Sequence, residues 1–79
     1  MSFSILRRSR LLFVLTEYNG KIYISARSID EINVQIIMER LGGGGHINTA
    51  GAQFPYSDME RAIETLKKTI DIMIEEGDI

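Results

Sequence analysis

The residues with the plainest chemical potential are Gly42, Gly43, Gly44 and Gly45, followed directly by His46. Consecutive glycines cost backbone entropy, roughly 0.5–1 kcal/mol each relative to alanine in regular structure. A helix stop needs only one of them. The surplus asks for another reason, and close approach of backbone N–H groups to an anion is one. A flexible linker between a helix and a strand is the other, and glycines alone do not decide between the two. The run is not a P-loop, since no Lys-Ser or Lys-Thr follows, nor a dinucleotide fingerprint, since these glycines close a helix. His46 can offer a hydrogen bond or a charge to a phosphate or a nucleobase, or it is a surface histidine without a role. Asn48 and Thr49 add short polar side chains beside the same loop, as ligand contacts or as turn formers.

Ser25 and Arg27 form a second pair, two residues apart at the exit of an expected strand. Strand exits and the loops after them are where sheets of this kind place ligand sites. The planar guanidinium of Arg27 suits a phosphate; the plainer reading is an exposed arginine. The carboxylates Glu31, Glu39, Asp58, Glu60, Glu64, Asp71, Glu75 and Glu76 scatter along expected helix surfaces, and none clusters with His46 in sequence. No acid–base pair and no metal cradle emerges, so no catalytic and no metal-ligating residue is assigned. The chain has no cysteine and one histidine, which excludes a thiol nucleophile, thiolate zinc sites and multi-histidine metal sites.

The elements that must position these residues follow from periodicity. Residues 11–15 are apolar on both alternating faces, which suits a strand covered on both sides. Asn19-Gly20 signals a tight hairpin turn. In the next strand Ile22, Ile24 and Ala26 share one face, and Tyr23, Ser25 and Arg27 share the other. Ser28 and Glu31 fit a capping box for a helix over about 29–41. Ile29, Ile32, Ile36, Ile37 and Leu41 form its apolar stripe, widened by Val34 and Met38. Residues 50–56 read as a short third strand with Pro55 near its end. Ser57 and Glu60 form a second capping box, and Met59, Ile63, Leu66, Ile70 and Met73 line one face of a helix of about five turns. The expected fold is α/β of the α+β kind: a small mixed sheet of about three strands with two helices, in the order β-β-α-β-α.

Seventy-nine residues make one domain with one thin core. Residues 1–10 are expected to be an N-terminal extension or partial strand, with Arg7, Arg8, Ser9 and Arg10 breaking 3–6 from the next strand. Residues 11–76 form the domain, and 77–79 a tail. Such a small sheet reads as a piece of something larger, with an N-terminal edge that is frayed or paired with another molecule. A second copy of the chain is one partner such an edge admits. The net charge of −2 gives no global pull towards nucleic acid, so any anion site must be local. The apolar runs are too short to span a bilayer, and residues 2–10 lack the apolar stretch of a secretory signal; a cytoplasmic domain without membrane contact is expected.

Two stretches taken together are recognisable. Ile24-Ser25-Ala26-Arg27-Ser28 precedes Ile32-Asn33-Val34-Gln35-Ile36-Ile37-Met38-Glu39, and Leu41 leads into the glycines and His46. This resembles the DHH-associated C-terminal domain of DHH-family phosphoesterases, and within it the cyclic-di-AMP phosphodiesterases of the GdpP type. The resemblance covers about 11–74. It implies a division of labour. A DHH domain outside this chain binds two metal ions, usually manganese, and the C-terminal domain closes over the cleft and holds the nucleotide. A two-metal site activates water and stabilises an in-line displacement at phosphorus. Carried over residue by residue, the substrate-binding candidates are Ser25, Arg27, Ser28, Gly42, Gly43, Gly44, Gly45 and His46, with Asn48 and Thr49 beside them. The implied function is nucleotide-phosphate binding in an enzyme that hydrolyses cyclic-di-AMP to pApA. The chain alone is expected to be inactive and to need no cofactor of its own. The implied partners are the DHH domain of the same protein and a cyclic dinucleotide or short oligonucleotide. The resemblance further implies that the whole protein is anchored in the bacterial cell membrane. One departure stands out: the family's Ala-Ala pair after the histidine is replaced by Asn48-Thr49-Ala50-Gly51, which bears on the shape of the pocket wall. Two alternatives remain, an oligonucleotide phosphoesterase of the NrnA or RecJ kind, and an RNA-binding or oligomerisation module like that of alanyl-tRNA synthetases. The acidic balance disfavours RNA.

Overall fold

A computed structural model describes residues 2–29 and 32–79. The elements are β1 (Ser2–Arg8), β2 (Leu11–Tyr18), β3 (Lys21–Ser28), α1 (Val34–Arg40), β4 (Gly44–Gly45), β5 (Thr49–Phe54) and α2 (Met59–Glu75). The strands form one antiparallel sheet in the order β1-β2-β3-β5-β4.

Register explains the core. Phe13 faces Ala26 and Ala26 faces Ala50 across the ladders, while Leu15 faces Ile24 and Ile22 faces Phe54. Residues directly opposite share a face, so these positions make one apolar surface. Both helices cover it: Val34, Ile37 and Met38 of α1 and Ala62, Leu66, Ile70 and Met73 of α2 are buried with Phe13, Leu15, Ile22 and Ile24 in a single cluster. Each large side chain so buried stabilises the fold by about 1.5–3 kcal/mol. Among the described residues no helix covers the other sheet face. It presents Phe3, Ile5 and Tyr23 to solvent, with Leu12 and Val14 half-covered.

The expected three-strand mixed sheet in the order β-β-α-β-α is therefore wrong. The described residues form five antiparallel strands, in the order β-β-β-α-β-β-α. Two strands lie outside the expected three: β1, anticipated only as an extension or partial strand, and β4, which was not anticipated. β1 runs through Arg7 and Arg8, which had been read as a break. A strand sends successive side chains to opposite faces, so both charges are accommodated: Arg8 turns to the helix side and pairs with Asp71 of α2, while Arg7 turns to the open face. Ser9, at φ 54°, then closes the tight turn into β2. β4 is two glycines, which carry no hydrophobic pattern to read.

Other local expectations shift too. Residues 11–15 are covered on one side only, with Leu11, Phe13 and Leu15 buried. The first helix begins at Val34, not near Ile29, because β3 continues through Ser28. Its cap is Asn33, whose Oδ1 accepts from Gln35 N at 2.9 Å and Ile36 N at 3.4 Å. The glutamate of the expected capping box, Glu31, lies outside the described residues. The buried stripe of α1 is Val34, Ile37 and Met38, while Ile29 is exposed. α2 is capped by Asp58, which accepts from Arg61 N at 3.1 Å, one residue later than the expected Ser57. Its expected face is buried at Leu66, Ile70 and Met73, with Met59 and Ile63 partly covered.

Candidate functional site

The glycine run does four different things. Gly42 has φ +88° and Gly43 follows it past the end of α1. Gly43 N donates to Met38 O at 2.8 Å and Gly42 N to Glu39 O at 3.0 Å, the paired bonds of a Schellman motif. Gly43 also lies tight on β5: a Cβ there would collide with Gly51 O and sit 2.7 Å from Ala52 Cα. Gly45 combines φ +144° with a Cβ position 2.5 Å from Ala50 Cα. Gly44 is different. Its φ is not positive and a Cβ would meet nothing within 4 Å. The fold accounts for three of the glycines and leaves Gly44 without a structural reason.

The donors divide in the same way. The N–H groups of Gly42 and Gly43 serve the helix stop, and His46 N donates to Thr49 O at 2.7 Å. His46 and Thr49 thus form a hydrogen-bonded pair in the β4–β5 ladder, where Gly45 opposes Ala50 and Gly44 opposes Gly51. Such pairs alternate in an antiparallel ladder. Gly45 and Ala50 fall at the non-bonded position, so the Gly45 amide points away from β5. β4 is the sheet's outer strand, so that amide faces outward from the edge.

The open face supplies the side chains. Arg7 opposes Leu12, Leu12 opposes Arg27, and Arg27 opposes Thr49. His46, bonded to Thr49, extends this row to the sheet edge. The neighbouring row is Ile5, Val14, Ser25, Gly51 and Gly44. Arg27, Ser25, Thr49 and His46 are exposed, and no carboxylate among the described residues pairs with Arg27. With strands about 4.8 Å apart, Arg27 lies roughly 10 Å from the His46 end of its row. Beside them Gly51 and Gly44 leave bare backbone. The result is a shallow cationic and hydroxyl-bearing surface with a side-chain-free floor, suited to an anion carrying flat or bulky groups.

Of the expected site residues, the fold brings Ser25, Arg27, Thr49, Gly44, Gly45 and His46 together. Ser28 and Asn48 stand apart. Ser28 alternates to the helix side of β3, and its Oγ accepts from Asn48 Nδ2 at 3.0 Å while Ser28 N donates to Asn48 O at 3.1 Å. This pair ties the end of β3 to the loop before β5. Gly42 and Gly43 shape the helix stop. Gly51 was missed by sequence reasoning, and only the β3–β5 register, which no local pattern encodes, places it beside Ser25. His46 is the one histidine of the sequence, and among the described residues no three histidine or carboxylate side chains converge. No helix among the described residues is long and apolar enough to cross a membrane.

Comparison with known proteins adds the following. A family model described as the DHHA1 domain matches residues 4–71. The chain is 52% identical over 54 residues to a Bacillus subtilis (strain 168) protein named cyclic-di-AMP phosphodiesterase GdpP, covering 68% of this chain and 8% of that protein. It is 47% identical over 60 residues to the cyclic-di-AMP phosphodiesterase PdeA of Listeria monocytogenes serotype 1/2a (strain 10403S), covering 75% and 9%. It is 45% identical over 60 residues to a membrane protein-large ribosomal subunit bL9 fusion protein of Onion yellows phytoplasma (strain OY-M), covering 76% and 7%. The chain spans only 7–9% of the length of these relatives.

Proposed function

The chain belongs to the DHHA1 domain family, and we propose that it is the substrate-gripping domain of a phosphodiesterase that opens cyclic-di-AMP to pApA. One observation carries the reading: the row of Arg27, Thr49 and His46 lies along bare backbone at Gly44 and Gly51. Arg27 offers a forked, permanently charged donor to a phosphate. His46 and the outward Gly45 amide add donors at the edge. The missing side chain at Gly44 lets sugar or base approach the sheet. Relatives 47–52% identical and named as cyclic-di-AMP phosphodiesterases support a cyclic dinucleotide over a longer oligonucleotide.

On this reading the domain binds and orients; it performs no bond-breaking step. The two manganese ions belong to a DHH domain outside this chain and supply activated water and charge stabilisation there. The open sheet face would turn towards that domain, with the ligand between them. The whole protein is membrane-anchored on this reading, in keeping with the words "membrane protein" in the name of the phytoplasma relative.

The test is calorimetric binding of pApA to the chain and to Arg27→Gln. Weak binding is expected from half a site, with at least a ten-fold loss on removing the guanidinium. Equal affinity in the two proteins would remove Arg27 from the site and sink the reading.

A further inference from the structure

The two edges of the sheet are unlike. β4, the outer strand on one side, is two glycines long. β1, on the other side, is seven residues long and pairs with β2 in unbroken register from Ser2 to Arg8. It carries none of the devices that blunt an edge: no proline, no bulge, and no charge from Phe3 to Leu6. Its hydrogen-bonding phase follows from the turn. Ser9 and Arg10 join Arg8 to Leu11 as a two-residue hairpin loop, whose closing pair is hydrogen-bonded. Bonded pairs then alternate, so Leu6 and Ser4 bond to β2 while Arg7, Ile5 and Phe3 turn their N–H and C=O groups outward. The side chains of these same three residues lie on the open face, with Phe3 67% and Ile5 62% exposed. Backbone donors, acceptors and apolar side chains thus coincide along one edge, which no strand among the described residues covers.

We propose that β1 pairs antiparallel with β1 of a second copy of this chain, with Ile5 opposite the partner's Ile5. The strand is complementary to itself in that register. Phe3 falls opposite the partner's Arg7, and Arg7 opposite the partner's Phe3. Each of the three facing pairs exchanges both backbone bonds, so every outward group is satisfied. On the open face each Arg7 guanidinium meets the ring of the partner's Phe3, a cation–π contact, and the two Ile5 side chains cover one another. Sliding the partner by two residues in either direction loses one of the three pairs. Sliding it by four towards the turn sets Arg7 against the partner's Arg7, like charges directly opposed. An unrelated strand would meet the backbone groups without this match of side chains, which is why the occupant is a second copy. The two-fold axis stands perpendicular to the sheet, so the contact is isologous and closes at two copies. The helices of both copies then lie on one side and both open faces on the other. The rows from Arg27 to His46 end at the far edges, so the pairing is independent of the nucleotide reading.

The test is sedimentation equilibrium of the chain from micromolar to hundreds of micromolar, with amide hydrogen exchange followed by NMR at both ends of the range. The mass is expected to rise from 9.0 kDa towards twice that value. Exchange at the Phe3, Ile5 and Arg7 amides should slow about ten-fold in the concentrated sample. Ile5→Lys, which sets two ammonium groups at the two-fold axis, should stay at the monomer mass, with unchanged far-ultraviolet circular dichroism verifying that it folds. The register has its own readout, because the chain contains no cysteine. Ile5→Cys places two thiols on Cα atoms about 5.5 Å apart, within disulfide reach, so oxidation should yield a covalent dimer. Phe3→Cys places them about 14 Å apart, and oxidation should leave it monomeric. A mass that stays at 9.0 kDa throughout overturns the proposal. So does a dimer that survives Ile5→Lys, or one whose Phe3, Ile5 and Arg7 amides exchange as fast as in the dilute sample, which would place the contact on the open face instead of the edge. Cross-linking of Phe3→Cys as readily as Ile5→Cys overturns the register.

Discussion

Gly44 lies directly opposite Gly51 across the β4–β5 ladder, and Gly51 in turn lies opposite Ser25. Two adjacent strands therefore present bare backbone next to a hydroxyl, on the face no helix covers. Packing explains Gly51, where a Cβ would come 3.0 Å from Ile24 O, but it does not explain Gly44, where a Cβ would meet nothing. Within one run of glycines, packing therefore accounts for some positions and leaves Gly44 for the proposed function to explain.

Gly43→Ala and Gly44→Ala should accordingly part company. At Gly43 the new methyl would be forced into β5 backbone, and overpacking of that kind costs about 1–3 kcal/mol. The expected drop in melting temperature is about 4–8 °C per kcal/mol for a domain this size. Gly44→Ala should change stability by no more than about 0.5 kcal/mol, yet weaken pApA binding. Chemical denaturation and titration of both variants check the pair; equal destabilisation would contradict the assignment.

Ser28→Ala removes the acceptor for Asn48 Nδ2. An exposed hydrogen bond of this kind contributes about 0.5–1.5 kcal/mol. Stability should fall by that order, measured by urea denaturation, while pApA affinity changes less than two-fold. A large loss of affinity with unchanged stability would return Ser28 to the site.

The helix starts give a sharper test of local structure. Asn33→Ala and Asp58→Ala each remove a cap that accepts from helix N–H groups, at a cost of about 1 kcal/mol. Ser57→Ala should be close to neutral. A Ser57 effect as large as that of Asp58 would contradict the cap position.

How much of this was legible in the sequence depends on the residue. The β2–β3 hairpin was plain, because Asn19-Gly20 marks its turn and both take positive φ. The alternation in β3 correctly divided Ile22, Ile24 and Ala26 from Tyr23, Ser25 and Arg27. The α2 face was visible in its spacing. β1 was hidden by its own arginines, since an ion pair to Asp71 is a tertiary fact. β4 was hidden because glycine has no pattern. The start of α1 was misplaced because Ser28 is a good cap by type, yet is held in the sheet by its pairing with Leu11. At the candidate site, residue types and spacing had proposed Arg27, Ser25 and the glycine–histidine run, which the register brings to one face. Register alone showed that Thr49 sits between Arg27 and His46, that Gly51 belongs there, and that Ser28 faces the other way.

The division of labour has a direct consequence. Incubated with cyclic-di-AMP and manganese, the chain should release no pApA, because the proposed function places the metal ions in a DHH domain outside it. Turnover above a heat-treated control, followed by chromatography, would contradict it.

The central claim is that the open sheet face beside Gly44 grips a nucleotide phosphate. Backbone amide shifts during titration of pApA into the chain test it most directly. The predicted result is movement at Ser25, Arg27, Thr49 and 44–46, with the helix-side residues Ala62, Leu66 and Ile70 unmoved. Absence of shifts on the open face at millimolar pApA, or shifts confined to the helix side, would contradict it.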